Sequence, residues 1–186
     1  IDYNASVEGV FIPSTWVRAA VDFDLPSNGP AYGGFDLAAG GQDIAVYVSR
    51  RGVSLQRLEK CHGMTPIDTT WEAAEQAEHD QVVELRFDQN AIGEDVYPVL
   101  TQGDREINFE LVGEYGQGRA SDEKVDGEKL VGHEKFRNRR AELWWNLRVR
   151  FRKTYEHVNK IRFYPTNELI SIPNHPKLIP ELSAPK

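Results

Sequence analysis

A chain of 186 residues, 40% hydrophobic and 27% charged, is long enough to bury one core and too apolar to stay disordered. Its formal net charge of -7 argues against a general nucleic-acid coat protein. The single cysteine, Cys61, excludes an internal disulfide and a cysteine-cluster zinc site, and the longest apolar run, near Ile44–Val48, is far too short for a bilayer.

In chain order, the first segment has a helical centre at Pro13–Ala20, with Ser14 as the expected cap. Asp24, Pro26, Ser27, Asn28, Gly29 and Pro30 then read as a turn-rich boundary. Residues 1–30 are therefore expected to be a linker segment leading into one domain, 31–186. The chain starts without an initiator Met or a secretory leader, so a piece of a longer cytoplasmic protein is expected.

Tyr32–Ala38 and Asp43–Ser49 are β-rich, and Arg50-Arg51-Gly52 looks like a hairpin turn into Val53–Lys60. Asp68 starts a helix expected to run to about His79. Gln81–Asp88 alternates apolar and polar residues as a strand does, Glu94–Gln102 suits a short helix, and Ile107–Val112 suits a further strand. Gly113–Gly132, rich in Gly, Asp, Ser and Lys, reads as a flexible loop. Lys135–Lys153 is the longest helical pattern, with an apolar stripe of Ala141, Trp144, Trp145, Leu147 and Phe151. Beyond Tyr164, five prolines predict little regular structure. Three strands, helix, strand, helix, strand, long helix is the order of an α/β ribonuclease H-like fold. It implies a mixed sheet of about five strands with helices on both faces.

Two acids stand out. Asp36 lies near the end of the first strand, before Gly40 and Gly41, which leave room for a ligand. Asp88 ends the fourth strand and precedes a glycine-containing turn. If these strands are neighbours, the two carboxylates converge where open sheets bind ligands, and oxygen donors favour Mg²⁺ or Mn²⁺ over zinc. Taken singly, Asp36 reads equally well as a solvated hairpin residue and Asp88 as a helix cap. The basic run holds Arg137, Arg139, Arg140 and Arg148, which suit phosphate contacts or a solvated face. None of the five histidines has paired metal spacing.

The stretches Phe11–Ala20, Gly34-Phe35-Asp36-Leu37-Ala38 with Gly41-Gln42-Asp43, Phe87–Gly93 and Phe136–Trp145 resemble, in order, segments of phage large terminases. So do Ile172-Pro173 and Leu178–Leu182. The resemblance implies the nuclease domain of a DNA-packaging motor working in the host bacterial cytoplasm. Double-stranded DNA would be cut with two Mg²⁺ or Mn²⁺ ions on the catalytic acids Asp36 and Asp88. It also implies an upstream ATPase domain, a portal and a small terminase subunit as partners. The family's third acid would lie beyond Lys186, with Asp43 at best an auxiliary metal ligand. No Gly-x-x-x-x-Gly-Lys-Ser/Thr loop is present, so the motor itself lies outside this chain. Two other readings stand beside it: a catalytically silent DNA-gripping or portal-docking module, and an actin-like or sugar-kinase-like phosphate-binding domain.

Overall fold

The computed structural model describes residues 10–38, 44–63, 65–102 and 105–184. Helix α1 (Ser14–Ala20) precedes three antiparallel strands, β1 (Ala31–Asp36), β2 (Val46–Arg51) and β3 (Ser54–Lys60). Helix α2 (Pro66–His79) then crosses to β4 (Val82–Asp88), which lies parallel to β1. A 3-10 turn at Ala91–Asp95 and α3 (Val96–Thr101) lead to β5 (Glu110–Glu114), parallel to β4. The spatial order β3-β2-β1-β4-β5 puts β1 at the centre of the mixed five-stranded sheet that the sequence predicts.

The strands' two-residue period decides what each face carries. Ala31 and Phe35 of β1, Tyr47 of β2, and Val82, Leu85 and Phe87 of β4 form the main core on one face. Ala73, Ala74 and Ala77 of α2 and Val96 and Leu100 of α3 pack onto them. Each large side chain buried there contributes roughly 1.5–3 kcal/mol. The opposite face carries Asp36, Arg86, Asp88 and Glu114. The long helix α5 (Arg139–Val158) bonds to that face through its first turn: Arg139 to Glu114 and Arg140 to Asp88.

Helix α2 starts earlier than the sequence suggests because Thr65 supplies its cap. The Thr65 hydroxyl accepts from the Asp68 N–H, and the Asp68 carboxylate accepts from the Thr65 N–H. Thr65→Ala should cost about 1 kcal/mol of stability, read as a lowered urea midpoint.

A second core joins α1 to α5. Ile12, Trp16, Val17 and Ala20 pack with Phe151 and Ile172. The proline-rich tail is fastened to the same place. Ile172 N–H donates to Ala20 O and Leu55 N–H to Ser171 O, each at 2.9 Å, and a short helix α6 (Leu178–Leu182) follows. Residues 11–21 are thus packed against α5 and the tail.

Several local expectations need correction. Ser14 is the first helical residue and makes no capping bond; the Pro13 carbonyl takes the N–H groups of Trp16 and Val17. The long helix expected at Lys135–Lys153 is α5, which starts at Arg139 and runs on to Val158; a separate short helix α4 (Gly132–Lys135) precedes it. Extended backbone at Phe136 ends α4, and the Asn138 side chain caps α5 by accepting from Ala141 N–H at 3.0 Å. Residues 115–131 are a tethered loop. Ala120 and Val125 are buried, Lys124 bridges to Val131, and the Asp126 carboxylate accepts from Lys153 at 2.9 Å. The strand expected at 107–112 runs from Glu110 to Glu114.

Candidate active site

Parallel pairing sets Phe35 of β1 beside Phe87 of β4, so the next residues, Asp36 and Asp88, adjoin at the carboxyl ends of two neighbouring strands. Asp88 is in turn in register with Glu114 on β5. Because Phe35 and Phe87 point into the core, both aspartates project from the other face. They line a cavity of about 510 Å³ together with Val46, Val48, Glu114, Arg140 and Leu143. One end of this cavity is therefore acidic and the rest largely apolar.

Asp88 is held by its own turn. One carboxylate oxygen accepts from the Asn90 N–H at 3.0 Å and from the Asn90 side-chain amide. The other lies 3.4 Å from a guanidinium nitrogen of Arg140. Gly93 permits this tight return, since a Cβ there would stand 1.7 Å from the Asp88 carbonyl oxygen. Gly93→Ala should displace the strand end and lower divalent-dependent activity at least about tenfold, with a smaller effect on stability. Comparing turnover with the melting temperature of the same variant checks this.

The Asp36 side chain makes no hydrogen bond to another described residue. Its pKa is raised, chiefly by desolvation, then by the neighbouring charge of Asp88, with Arg140 opposing both. Two carboxylates forced together in this way bind a proton or a cation. Their hard oxygen donors fit Mg²⁺, Mn²⁺ or Ca²⁺. Among the described residues, no three His, Cys, Asp or Glu side chains cluster closely enough to hold a metal ion. Asp43, the expected auxiliary ligand, lies outside the described residues.

Glu114 went unnoticed in the sequence because the strand carrying it was placed two residues early. Its carboxylate accepts from Arg86 and, at 3.3 Å, from Arg139. Behind it, Glu142 is buried at 3% exposure and accepts from Ser121 N–H at 2.9 Å, from the Ser121 hydroxyl, and from Arg139 at 2.9 Å.

The four arginines of the basic run divide into two pairs. Arg137 and Arg140 are exposed and line a second, polar cleft. Arg139 is committed to Glu114 and Glu142. Arg148 donates to the Phe11 carbonyl at 2.7 Å and lies over the rings of Trp16 and Trp145, so it fastens α5 to the segment leading into α1.

No protein-family model matches the chain, and no curated protein matches it. Solved structures do. The nuclease domain of the large terminase subunit gp2 of bacterial virus Sf6 aligns at a TM-score of 0.78 with 20% identity, covering 93% of this chain and 79% of that one. A point variant of the same protein with calcium gives the same values. A variant with manganese gives a TM-score of 0.76 at 19% identity over the same shares. With its sheet order, its crossovers and these alignments, the chain has the ribonuclease H-like α/β fold of a phage large terminase nuclease domain.

Proposed function

We propose that this chain is a divalent-cation-dependent endonuclease domain that cuts double-stranded viral DNA during genome packaging. The observation that carries the reading is the pairing of Asp36 and Asp88 on adjoining strand ends inside one cavity. Sf6 domains of the same fold were solved with manganese and with calcium, which supports a divalent cation as the partner of this chain. Asp36 and Asp88 would hold Mg²⁺ or Mn²⁺. Ions bound there supply charge neutralisation for a phosphodiester and activation of the attacking water.

The chain's own residues do the rest. The Asn90 bonds to one oxygen fix the rotamer of Asp88, so its other oxygen, the one beside Arg140, is placed without an ordering cost at the moment of binding. Arg140 supplies positive charge to a site whose two acids would otherwise repel a phosphate. Phe87 and Leu85 behind the strand ends keep both acids on a rigid sheet. An upstream ATPase domain, a portal and a small terminase subunit are the proposed partners within the packaging motor.

Nicking of supercoiled plasmid with Mn²⁺, lost in both Asp36→Asn and Asp88→Asn, tests this reading. A second reading, a DNA-gripping module without catalysis, is favoured by one observation: among the described residues no third side chain joins the pair closely enough to share a metal ion, Glu114 being held by Arg86 and Arg139. Divalent-dependent cutting that requires both aspartates would remove it.

A raised pKa at Asp36 gives the site a pH dependence of definite sign. Ionised Asp36 is disfavoured in the fold, so it contributes instability that grows as pH rises from its unfolded value through its raised folded one. A cation reverses that penalty. The rise in melting temperature produced by Mn²⁺ should therefore be full at pH 8. On acidification it should fade at a higher pH than an ordinary aspartate would require. Asp36→Asn should melt slightly higher than the parent in EDTA at pH 8 and show no Mn²⁺ response.

A further inference from the structure

Arg140 lines two cavities at once. One is the acidic cavity; the other, of about 380 Å³, is walled by Gln117, Arg137, Asn138 and Arg140. Gly116 faces the first and Gln117 the second, so the connector after β5 runs between them. Gly116 also leaves the space in which the Arg140 side chain passes, since a Cβ there would stand 3.2 Å from Arg140 Nε.

The arginines of α5 beyond this cleft already have partners. Arg139 binds Glu114 and Glu142, Arg148 binds the Phe11 carbonyl, Arg150 binds the carbonyls of Asn167 and Leu169, and Arg152 stands 3.8 Å from Glu156. Arg137, just before the helix, makes no hydrogen bond or ion pair among the described residues. The one side-chain bond of Arg140, to Asp88, is long at 3.4 Å, and both partners are open to water. In a chain of net charge -7, two guanidinium groups with unused donors face one polar cleft, joined by Gln117. Planar guanidinium forks match the oxygens of a phosphate. A polymer with repeating phosphates can lie in both cavities, one phosphate at the acids and a flanking one on the arginines.

The geometry points to a backbone-phosphate subsite made by Arg137, Arg140 and Gln117, which holds the DNA strand beside the bond to be cut; this assignment rests on the nuclease reading above. Arg140 serves two anions in succession, Asp88 before DNA arrives and the flanking phosphate once a cation has taken over Asp88. Phosphate contacts carry no sequence information, so the subsite holds any duplex.

The test is binding of a fluorescein-labelled duplex of about 20 base pairs to the 186-residue chain in Ca²⁺, followed by anisotropy across a salt series. Arg137→Ala should weaken binding roughly five- to tenfold and reduce the slope of log affinity against log salt by about one. Arg105→Gln, which removes a charge ion-paired to Glu75 and Glu78 on α2, should leave the slope at its parent value. The Ca²⁺-induced rise in melting temperature should be the same in Arg137→Ala as in the parent chain. Parent-like affinity and slope in Arg137→Ala overturn the subsite alone. Equal loss in Arg105→Gln overturns it too, because the effect is then general charge. A parent chain that binds no duplex overturns both the subsite and the nuclease reading.

Discussion

Asp36→Asn and Asp88→Asn should each reduce Mn²⁺-dependent plasmid nicking by at least about a thousandfold while leaving the fold intact. The size follows from the chemistry. A neutral amide cannot replace a carboxylate as a ligand for a hard cation, and cation-assisted water activation accounts for several kcal/mol of barrier lowering. Each of those kcal/mol is roughly a factor of five in rate. The two variants should differ in stability. Asp36 is disfavoured as an anion by desolvation and by Asp88, so its neutralisation relieves the fold, modestly, because water screens an exposed carboxylate. Asp88 accepts two hydrogen bonds from Asn90 and faces Arg140, so its amide replacement loses support on both sides. Equal nicking by either variant would show that the carboxylate pair does not cut. Circular dichroism on the same samples separates lost chemistry from lost fold.

Glu142→Ala should destabilise the protein by about 3–5 kcal/mol, the range for removing one partner of a buried charge network. The variant leaves the half-buried Arg139 short of a counter-charge and Ser121 without its two acceptor contacts. Gly132 is built around this carboxylate as well, since a Cβ there would stand 2.6 Å from it. Desolvation pushes the Glu142 pKa up, but the bonds from Ser121 and Arg139 outweigh it and hold the pKa below the ordinary glutamate value. The sign is then fixed. The stabilisation is present above the unfolded pKa and is lost as pH falls through the lowered folded one. Urea unfolding should show a large gap between parent and Glu142→Gln at pH 7 that narrows toward pH 3. A constant gap would mean that the carboxylate charge is not what holds the loop. Activity should follow stability, because Glu142 fixes Arg139 and the first turn of α5, from which Arg140 reaches Asp88.

The acid pair was legible in the sequence because strand period and strand ends are local properties. Asp36 and Asp88 each close an apolar-polar alternation, and only the adjacency of β1 and β4 had to be supplied by topology. What the sequence concealed depends on contacts between distant segments. Gly113–Gly132 has the composition of a mobile loop, yet Glu142, about twenty residues onward, captures Ser121 and turns it into a fixed wall. The basic run reads equally well as phosphate contacts or as a solvated face. Helical geometry alone could not reveal that Arg148 meets the Phe11 carbonyl and two tryptophan rings, or that Arg139 meets Glu114 and the buried Glu142. Similarly, the apolar stripe from Ala141 to Phe151 marks the body of α5 and not the residue at which it starts. Asn138 was the available signal, being a strong cap residue three positions before Ala141.

The most direct measurement is an anomalous-difference map from crystals of the chain grown in Mn²⁺. The account predicts density in the cavity between β1 and β4, within about 2.3 Å of carboxylate oxygens of both Asp36 and Asp88. Mn²⁺ bound elsewhere, or carboxylates still engaged only with Asn90 and Arg140 at saturating Mn²⁺, would contradict it.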